Sequence, residues 1–479
     1  MNPLRSLLSA ALLPAVHFGA VHADEEPPNL IVIFTDDHGY ADLSCVGTEP
    51  DVKTPHLDRL AAEGVRFTDG YVTAPQCCPS RGGLLTGRDQ NRFRFGENGM
   101  GPLPAEEVTI ADRLAEAGYV TGMVGKWHLD NGGKPKERFH PRGRGFQETF
   151  YGYTNSYSAT YDLKGNRFDK LRRIRTTGDR LDRQSDAAVQ FIEHHHEKPF
   201  FLYLAYYAPH VPLASSKKYL DRFPGEMPER RRYALAMISA VDDGVGRIMD
   251  RLEHHGIDDN TLIFFIGDNG APLKLHMEDK SLKIEGGAWD GSKNTPLNGE
   301  KGMLAEGGIR VPFLARWKGT IPGGQVCKTP VTSLDVAATA CAMAGLDRPA
   351  SLDGLDLLPM LAEKKPLPDR ALYWRFWEQS AVREGDWKLL KLGNRGMFLF
   401  NLAEDPGERN NLIKEHPEIA KRLLDGATTW AGELDPPGLP DGSGNIQEHF
   451  FYHHFFKLPL PDGVSADQSP FAVTRKKRE

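Results

Sequence analysis

The chain has 479 residues and a formal net charge of −6, with 26% charged and 40% hydrophobic residues. This balance is typical of a folded enzyme with room for one large domain and a smaller one. A mildly acidic chain with no basic recognition motif is not suited to coat nucleic acid, so we expect no nucleic-acid partner.

The N-terminus has the pattern of a secretory signal. Arg5 precedes a short apolar run that contains Pro14, and Ala23 ends the segment. The pattern predicts a signal peptide over 1–23, and the run is too short and interrupted for a membrane anchor. We therefore expect a secreted or periplasmic protein that begins near Asp24 and has no membrane contact after cleavage.

Two uninterrupted apolar runs, over 29–35 and 261–267, predict strands buried on both faces. Helices and strands alternate between them, which predicts an α/β fold with a large, mostly parallel sheet flanked by helices. The predicted helices cover 54–64, 108–117, 185–195 and 233–252, and the predicted intervening strands cover 120–124 and 199–207.

A boundary is expected near 364–369, which separates a large α/β domain over 24–365 from a smaller C-terminal α+β domain and tail over 366–479. The smaller domain is predicted to combine antiparallel sheet with one helix. Its predicted strands cover 380–383, 387–391 and 397–402, and its helix covers 417–434. The tail from Asp435 is predicted to be mostly loop and contains an aromatic and histidine cluster. Residues 271–300 are predicted to form a long functional insertion.

Polar residues follow both buried runs. Asp36 and Asp37 come after the first, and Asp268 and Asn269 come after the second. Since parallel strands place their carboxyl ends at one edge, we expect these side chains to meet there. Four oxygen donors favour a hard cation such as Ca²⁺ or Mg²⁺ over zinc. The alternative interpretation is an ordinary turn and a helix cap.

Cys77 and Cys78 lie where a short helix of small residues is expected to start, and the chain is predicted to be helical from Arg81 onward. A disulfide between adjacent residues is strained, so two thiols, or one thiol and a product of the other, are favoured. A helix N-terminus suits an anionic ligand or nucleophile. The alternative is a pair of buried cysteines under a turn.

The run Cys77-x-Pro79-Ser80-Arg81, followed by Thr86-Gly87-Arg88, resembles the signature of the type I sulfatases, within the alkaline-phosphatase-like superfamily. The resemblance extends over nearly the whole mature chain, through 36–37, 125–129, 209–210, 268–270, 300–310 and 402–411. It implies an alkaline-phosphatase-like fold, hydrolysis of sulfate esters, one Ca²⁺ and oxidation of Cys77 to formylglycine by a maturation enzyme.

The resemblance also implies a role for individual residues. The implied metal ligands are Asp36, Asp37, the modified Cys77, Asp268 and Asn269. Arg81, Lys126 and Lys301 would supply fixed positive charge around the sulfate group. One hydroxyl of the hydrated aldehyde would attack sulfur, with His210 and Lys301 protonating the departing oxygen. His128 would then take the proton of the second hydroxyl as sulfate leaves, a release that serine or a thiol could not provide.

Other functions remain open at this point. A phosphodiesterase or phosphonate monoester hydrolase could use the same nucleophile, and a chain with unoxidised Cys77 would be an inactive sulfated-glycan-binding protein. The favoured substrate is a sulfated polysaccharide or oligosaccharide such as a marine galactan. The basic stretch 166–175 either faces that polyanion or is a charged surface loop balanced by Asp179 and Asp182.

Some details stay undecided from the residues alone. Asn155 and Ser156 are both candidates for an additional sulfate contact. Cys341 falls in an apolar helix pattern and is expected in the core, whereas a Cys45–Cys327 bridge is neither supported nor excluded. The run His194-His195-His196 is interpreted as a helix end rather than a metal site.

Overall fold

The computed structural model describes residues 27–130, 137–274, 289–442 and 445–465. The predicted signal peptide over 1–23 and the central part of the predicted insertion, 275–288, lie outside these residues. Within the described ranges, no helix has both the length and the apolar character needed to cross a membrane.

The strands of the described residues are β1 (Asn29–Asp36), β2 (Val65–Phe67), β3 (Gly70–Tyr71), β4 (Val120–Gly125), β5 (Glu148–Tyr153), β6 (Ser156–Tyr161), β7 (Arg167–Arg175), β8 (Phe200–Pro209), β9 (Thr261–Gly267), β10 (Phe313–Arg316), β11 (Gln325–Cys327), β12 (Val331–Thr332), β13 (Ala371–Phe376), β14 (Gln379–Glu384), β15 (Trp387–Leu392) and β16 (Gly396–Asn401). The α-helices are α1 (Pro55–Ala62), α2 (Cys77–Thr86), α3 (Ile110–Glu116), α4 (Arg180–His195), α5 (Lys217–Leu220), α6 (Glu229–His254), α7 (Glu306–Ile309), α8 (Asp335–Met343), α9 (Leu358–Glu363), α10 (Pro417–Gly432) and α11 (Ile446–Phe456).

The large sheet has the strand order β11-β2-β10-β9-β1-β8-β4-β5-β6-β7. Its central strands, from β9 to β5, run parallel. Antiparallel pairs extend this centre on both sides, and β11 joins β2 in parallel at one edge. The predicted fold, a mixed and mostly parallel sheet flanked by helices, is confirmed.

Alternate residues of β1 enter two different hydrophobic cores. Leu30, Val32 and Phe34 pack on one face of the sheet, and Ile31 and Ile33 pack on the other. Successive side chains of a strand point to opposite faces, so a strand covered on both sides must be apolar at every position. This placement explains the uninterrupted apolar run that forms β1.

The C-terminal sheet has the order β13-β14-β15-β16, antiparallel throughout. One of its faces packs on α10, and the other packs on α11 and on the segment 303–309. The small domain therefore packs against residues 303–309, which closely follow Lys301 in the chain. Strand β13 was not predicted, and the prediction of loop for the tail was wrong over Ile446–Phe456, which is helical.

Two further expectations need correction. Helix α4 begins at Arg180 rather than 185, because the Asp179 side chain accepts a hydrogen bond from the Leu181 amide and caps the helix there. The basic stretch is not a surface loop, since Arg167–Arg175 forms β7 at the edge of the large sheet. Asp182 accepts a hydrogen bond from the Tyr219 hydroxyl at 2.6 Å rather than from this basic stretch.

Candidate active site

The acidic residues predicted from the strand ends meet in the structure. Strands β1 and β9 pair in parallel register up to their last residues, which brings Asp36 and Asp37 beside Asp268 and Asn269. The Asp37 amide donates to Asp268 Oδ1 at 3.0 Å, and Asn269 Nδ2 donates to Asp37 Oδ1 at 2.7 Å. Asp37 has a φ of 61°, a left-handed conformation that turns its side chain back toward its neighbours.

Cys77 is the first residue of α2 and is 1% exposed. Helix α2 therefore begins four residues before Arg81, the residue from which the sequence predicted helical structure. It packs closely because Gly83 has no side chain: a Cβ there would lie 2.4 Å from Thr73 Oγ1. The Cys77 thiol lies 3.9 Å from Asp37 Oδ1, so the helix N-terminus faces the acidic cluster.

Lys126 reaches the cluster from the end of β4. Gly125, with a φ of 101°, makes the bend that a side chain would prevent, because a Cβ would lie 2.0 Å from the Ala205 carbonyl. Lys126 Nζ donates to Asp36 Oδ2 at 2.6 Å. Burial alone would lower the pKa of Lys126, but the charges of Asp36 and the other acidic neighbours together outweigh it and raise that pKa. This ammonium is therefore a permanent positive charge.

Arg81 lies one turn into α2 and is fully buried. Its Nη2 and Nε donate to Asp268 Oδ2 at 2.6 and 3.1 Å, and Nη2 lies 3.7 Å from Asp36 Oδ1. A guanidinium held this way fixes two carboxylates at once.

Lys301 approaches from the opposite side, on the segment that the small domain supports. The Gly302 amide donates to the Pro75 carbonyl at 2.9 Å, which fixes this segment beside the start of α2. Lys301 Nζ donates to Asp37 Oδ1 at 2.6 Å and lies 3.1 Å from Cys77 Sγ. Burial opposes its charge, but Asp37 and the other acidic neighbours raise its pKa well above the usual value.

The histidines differ in their surroundings. His128, with a φ of 60°, accepts a hydrogen bond at its carbonyl from Cys78 Sγ at 3.0 Å, and its buried Nδ1 has no hydrogen-bond partner. Burial and then the Lys126 charge lower the pKa of His128 to about 2, so its ring is neutral.

His210 follows β8, and its side chain is 24% exposed. Its Nδ1 donates to the Val211 carbonyl at 2.5 Å, which leaves Nε2 facing the cluster, 3.7 Å from Asp37 Oδ2. Burial lowers the pKa of His210, although the charges of Asp36 and Asp37 oppose this change.

Several oxygens of the cluster have the properties of metal ligands. One ligand atom from each of Asp36, Asp37, Cys77 and Asp268 lies within 4.8 Å of the others. Asp36 Oδ1 and Asn269 Oδ1 are buried and accept no hydrogen bond, a costly arrangement unless another group satisfies them. Burial and the neighbouring Asp36 charge raise the pKa of Asp268 to about 7. The donor set fits a hard cation.

The cysteines are all free thiols, which settles the open question of Cys45 and Cys327. Cys341 is 2% exposed in α8, as expected for a core residue. Asn155 and Ser156 lie at the turn between β5 and β6. Ser156 Oγ accepts from Arg173 Nε at 2.7 Å, and the Asn155 carbonyl accepts from the Thr176 amide at 2.9 Å.

Comparison with known proteins identifies the family. The sulfatase family model matches residues 28–346, which is most of the chain and includes the acidic cluster and the cations and histidines around it. The model for the C-terminal part of N-sulphoglucosamine sulphohydrolase matches residues 299–426. This chain belongs to the sulfatase family.

The sulfatase has relatives of similar length. N-acetylgalactosamine-6-sulfatase of Mus musculus is 36% identical over 395 residues, which cover 76% of this chain and 72% of that protein. Arylsulfatase A of Homo sapiens is 32% identical over 478 residues, covering 86% and 87%. The solved structure of Ps i-CgsB in complex with k-i-k-neocarrahexaose matches with a TM-score of 0.74 at 29% identity, covering 89% of this chain and 97% of that one. The protein is therefore a sulfuric ester hydrolase.

The site of this sulfatase opens into a cavity of about 410 Å³, lined by Asp37, His210 and Lys301 among others. Among the lining residues that sequence reasoning missed, two bear directly on the site. Asp290 is 1% exposed and accepts from Lys274 Nζ at 3.1 Å, and burial raises its pKa to about 6. It lies in the stretch 271–300, where no periodic pattern indicated its position.

The second missed residue is Trp377, in the turn between β13 and β14. Its indole nitrogen donates to Glu97 Oε2 at 2.5 Å, and its ring lines the cavity beside Lys301. Because β13 was not predicted, nothing in the sequence placed this turn near the active site.

Proposed function

We propose that this sulfatase cleaves the S–O bond of sulfate esters with a formylglycine made from Cys77 and with one bound Ca²⁺. The observation on which this depends is the position of Cys77, buried at the start of α2, 3.9 Å from Asp37 and 3.1 Å from the Lys301 ammonium. Burial raises the pKa of the unmodified thiol well above its usual value, which disfavours a thiolate nucleophile.

The residues that would hold Ca²⁺ are Asp36, Asp37, Asp268, Asn269 and the modified Cys77. Carboxylate and amide oxygens without histidine are the ligands that calcium prefers, and the unsatisfied Asp36 and Asn269 oxygens support this assignment. When bound, the cation supplies Lewis-acid polarisation, and the hydrated aldehyde supplies a hydroxyl nucleophile.

The chain's own charges bind and orient the sulfate group. Arg81, Lys126 and Lys301 are the cations that contact the three carboxylates of the cluster. A sulfate ester keeps negative charge on its nonbridging oxygens in the transition state, so fixed positive charge in a buried site lowers the barrier.

Proton transfers are assigned to the remaining groups. His128 is neutral and can accept a proton as sulfate is released from the nucleophile. His210 Nε2 faces the cluster, and the Lys301 ammonium keeps its proton, and both observations support a role for these two residues in protonating the departing sugar oxygen.

The proposed substrate is a sulfated polysaccharide or oligosaccharide such as a marine galactan. The active-site cavity shares Trp377 with a second cavity of about 540 Å³, lined also by Arg94, Met100 and Arg375. An aromatic ring between two cavities suits a chain of sugars better than a small aryl ester. The relative solved with k-i-k-neocarrahexaose agrees with this substrate class.

The proposal includes maturation and export. A formylglycine-generating enzyme would oxidise Cys77, and the segment 1–23 would direct secretion or periplasmic export. We assign catalysis to a domain over 24–365 and a supporting role to the subdomain and tail over 366–479. Nucleic acid and, after signal cleavage, membrane are not partners in this proposal.

The mass of the tryptic peptide that contains Cys77 tests the nucleophile. In a host with the maturation enzyme, we expect a mass lower by the replacement of H₂S by one oxygen. Cys77→Ser should abolish sulfate release without unfolding the protein. Cys78→Ser is the matched control and should have a mild effect, since the Cys78 thiol donates to the main-chain carbonyl of His128 and a serine hydroxyl can do the same.

Four outcomes would contradict the proposal. An unmodified Cys77 in active enzyme, or full activity of Cys77→Ser, would exclude formylglycine as the nucleophile. An unmodified Cys77 without activity would favour the inactive glycan-binding protein. Hydrolysis of phosphodiesters to phosphate monoesters at a higher kcat/KM than sulfate release would favour the phosphodiesterase alternative.

A further inference from the structure

A second group of metal-binding residue types lies at the other end of the large sheet. Glu148 is the first residue of β5, and His194 and His195 end α4. One ligand atom of each lies within 4.8 Å of the others. Glu148 pairs with Gly122, near the start of β4, whereas Lys126 follows the end of β4. The group is therefore separate from the catalytic cluster.

Glu148 and His195 are close partners in the buried part of this group. Glu148 Oε2 and His195 Nε2 pair at 3.1 Å, and both side chains are at least nine-tenths buried. The other oxygen of Glu148, Oε1, accepts from Arg167. The carboxylate is thus held in place through one oxygen while the second faces the His195 ring.

His194 has a fixed tautomer that suits a ligand. Its Nε2 lies 3.1 Å from the Gly165 carbonyl, which can only accept, so Nε2 is the protonated nitrogen. The lone pair is then on Nδ1, which is buried and has no hydrogen-bond partner. Metal-ligating histidines commonly have their other ring nitrogen hydrogen-bonded to a carbonyl in this way.

The donor set and its spacing match a borderline transition metal. Zinc binds imidazole nitrogen and carboxylate oxygen at about 2.0–2.1 Å, and tetrahedral geometry then separates two ligands by about 3.3 Å. The distance of 3.1 Å between Glu148 and His195 is close to this value. A cavity of about 560 Å³ borders all three residues and leaves room for water as a fourth ligand.

We propose that Glu148, His194 and His195 form a binding site for a divalent transition metal such as Zn²⁺, distinct from the calcium site of the proposed function. The sequence interpretation of the histidine run as a helix end was correct for α4 but omitted Glu148, which is distant in sequence. A metal here would join the start of β5 to the end of α4. It would stabilise this edge of the sheet without entering the reaction.

Calorimetric titration of the full-length enzyme with Zn²⁺, in excess Ca²⁺ to keep the acidic cluster filled, tests the site. We expect saturable binding of about one Zn²⁺ per chain and a rise in Tm on binding. His195→Asn and Glu148→Gln should each lose this binding. Co²⁺ in place of Zn²⁺ should show visible absorption typical of nitrogen and oxygen ligation, and the same variants should lose it.

His196→Asn is the matched control, because His196 belongs to the same run but not to the group. Its ring stacks on His255 at 3.8 Å, and its Nδ1 lies 3.0 Å from the Glu193 carbonyl. This variant should bind Zn²⁺ like the unmodified enzyme, and sulfatase activity should be unchanged in it and in His195→Asn. The proposal is overturned if Zn²⁺ does not bind, if binding survives in both His195→Asn and Glu148→Gln, or if His196→Asn abolishes it.

Discussion

The ammonium nitrogen of Lys126 lies 2.6 Å from Oδ2 of Asp36, and the lysine side chain is only 7% exposed. A buried charge at this distance both neutralises the carboxylate and remains available to an anionic group beside it. Burial would raise the pKa of Asp36, but Lys126 and the other cations hold it well below its usual value. The pair is therefore ionised throughout the physiological range.

Lys126→Met should lower kcat on every sulfate ester, because the lost charge stabilises the group that all of them share. Loss of one such stabilising donor typically costs about 10²–10³-fold in kcat. The measurement is kcat for a sugar sulfate and for nitrophenyl sulfate. Lys274→Met is the control, since that ammonium pairs with Asp290 in the same cavity. Equal kcat for Lys126→Met and the unmodified enzyme would remove Lys126 from the mechanism.

Asp268→Asn should weaken Ca²⁺ binding. The substitution keeps the size of the side chain and removes one negative charge from a site that is expected to bind calcium through oxygens alone. Elemental analysis and calorimetry should show lower occupancy and affinity, while Asp290→Asn should change neither. Zinc at full occupancy, unaffected by Asp268→Asn, would show that the cation or its ligands were assigned wrongly.

The acidic half of the site could be predicted because a simple geometric rule governs it. Asp36, Asp37, Asp268 and Asn269 directly follow apolar runs, and parallel strands align their carboxyl ends. The same rule placed Lys126 after β4. These residues come together in the structure by strand pairing alone, without any detail of loop packing.

The remaining lining residues could not be predicted, since irregular packing positions them. The segment that contains Asp290 is held by Ser292, whose hydroxyl donates to Asp42 Oδ2 at 2.6 Å and accepts from the Gly39 amide at 2.9 Å. Neither contact follows from a periodic pattern. Helix α11 was missed for a related reason: it buries the adjacent residues Phe450, Phe451 and Tyr452 rather than one periodic stripe.

Trp377→Ala should separate long substrates from short ones. If the ring lies under a sugar next to the one that loses sulfate, its removal should raise KM for a sulfated oligosaccharide by about 3- to 10-fold, the usual range for an aromatic contact. Nitrophenyl sulfate does not extend to this ring, so its KM should not change. An equal rise in KM for both substrates would mean that Trp377 supports Lys301 and not the glycan.

Two buried glutamates, Glu306 and Glu408, should make the free energy of unfolding depend on pH. Lys388 Nζ lies 2.8 Å from Glu306 Oε1 and 2.9 Å from Glu408 Oε1. Burial raises the pKa of Glu408 to about 7, and the charge of Glu306 adds to this, although Lys388 opposes it. The folded protein thus keeps a proton on Glu408 that the unfolded chain, with a pKa near 4.5, releases.

The stabilising contribution of this proton is full below pH 4.5 and is lost as the pH rises toward about 7. Relative to Glu408→Gln, which resembles the protonated form at every pH, the unmodified enzyme should lose free energy of unfolding on the order of 3 kcal/mol across this window. Denaturant unfolding at a series of pH values measures the difference. The exposed Glu418→Gln should give no such difference, and parallel pH profiles for Glu408→Gln and the unmodified enzyme would contradict the assignment.

His210→Ala should distinguish the proton donor from the groups that bind sulfate. The alkoxide of a sugar is a poor leaving group and needs a proton, whereas nitrophenolate leaves with little help. If His210 Nε2 supplies that proton, the variant should lose about 10²–10⁴-fold in kcat on a sugar sulfate and much less on nitrophenyl sulfate. Lys126→Met, by contrast, should impair both substrates alike.

Lys301 is the competing candidate for the proton donor. The pKa of His210 is lowered and that of Lys301 is raised, so the pH dependence of the reaction distinguishes them. Burial lowers the pKa of His210, so the free ring is mainly neutral and must gain its proton as the anionic substrate binds. The pKa of Lys301 is raised, so its proton is always present. With His210 as the acid, kcat/KM for a sugar sulfate should fall as pH rises above the lowered pKa, and His210→Ala should abolish that dependence. Equal losses on both substrates for His210→Ala would instead mean that His210 positions the sugar and that Lys301 donates the proton.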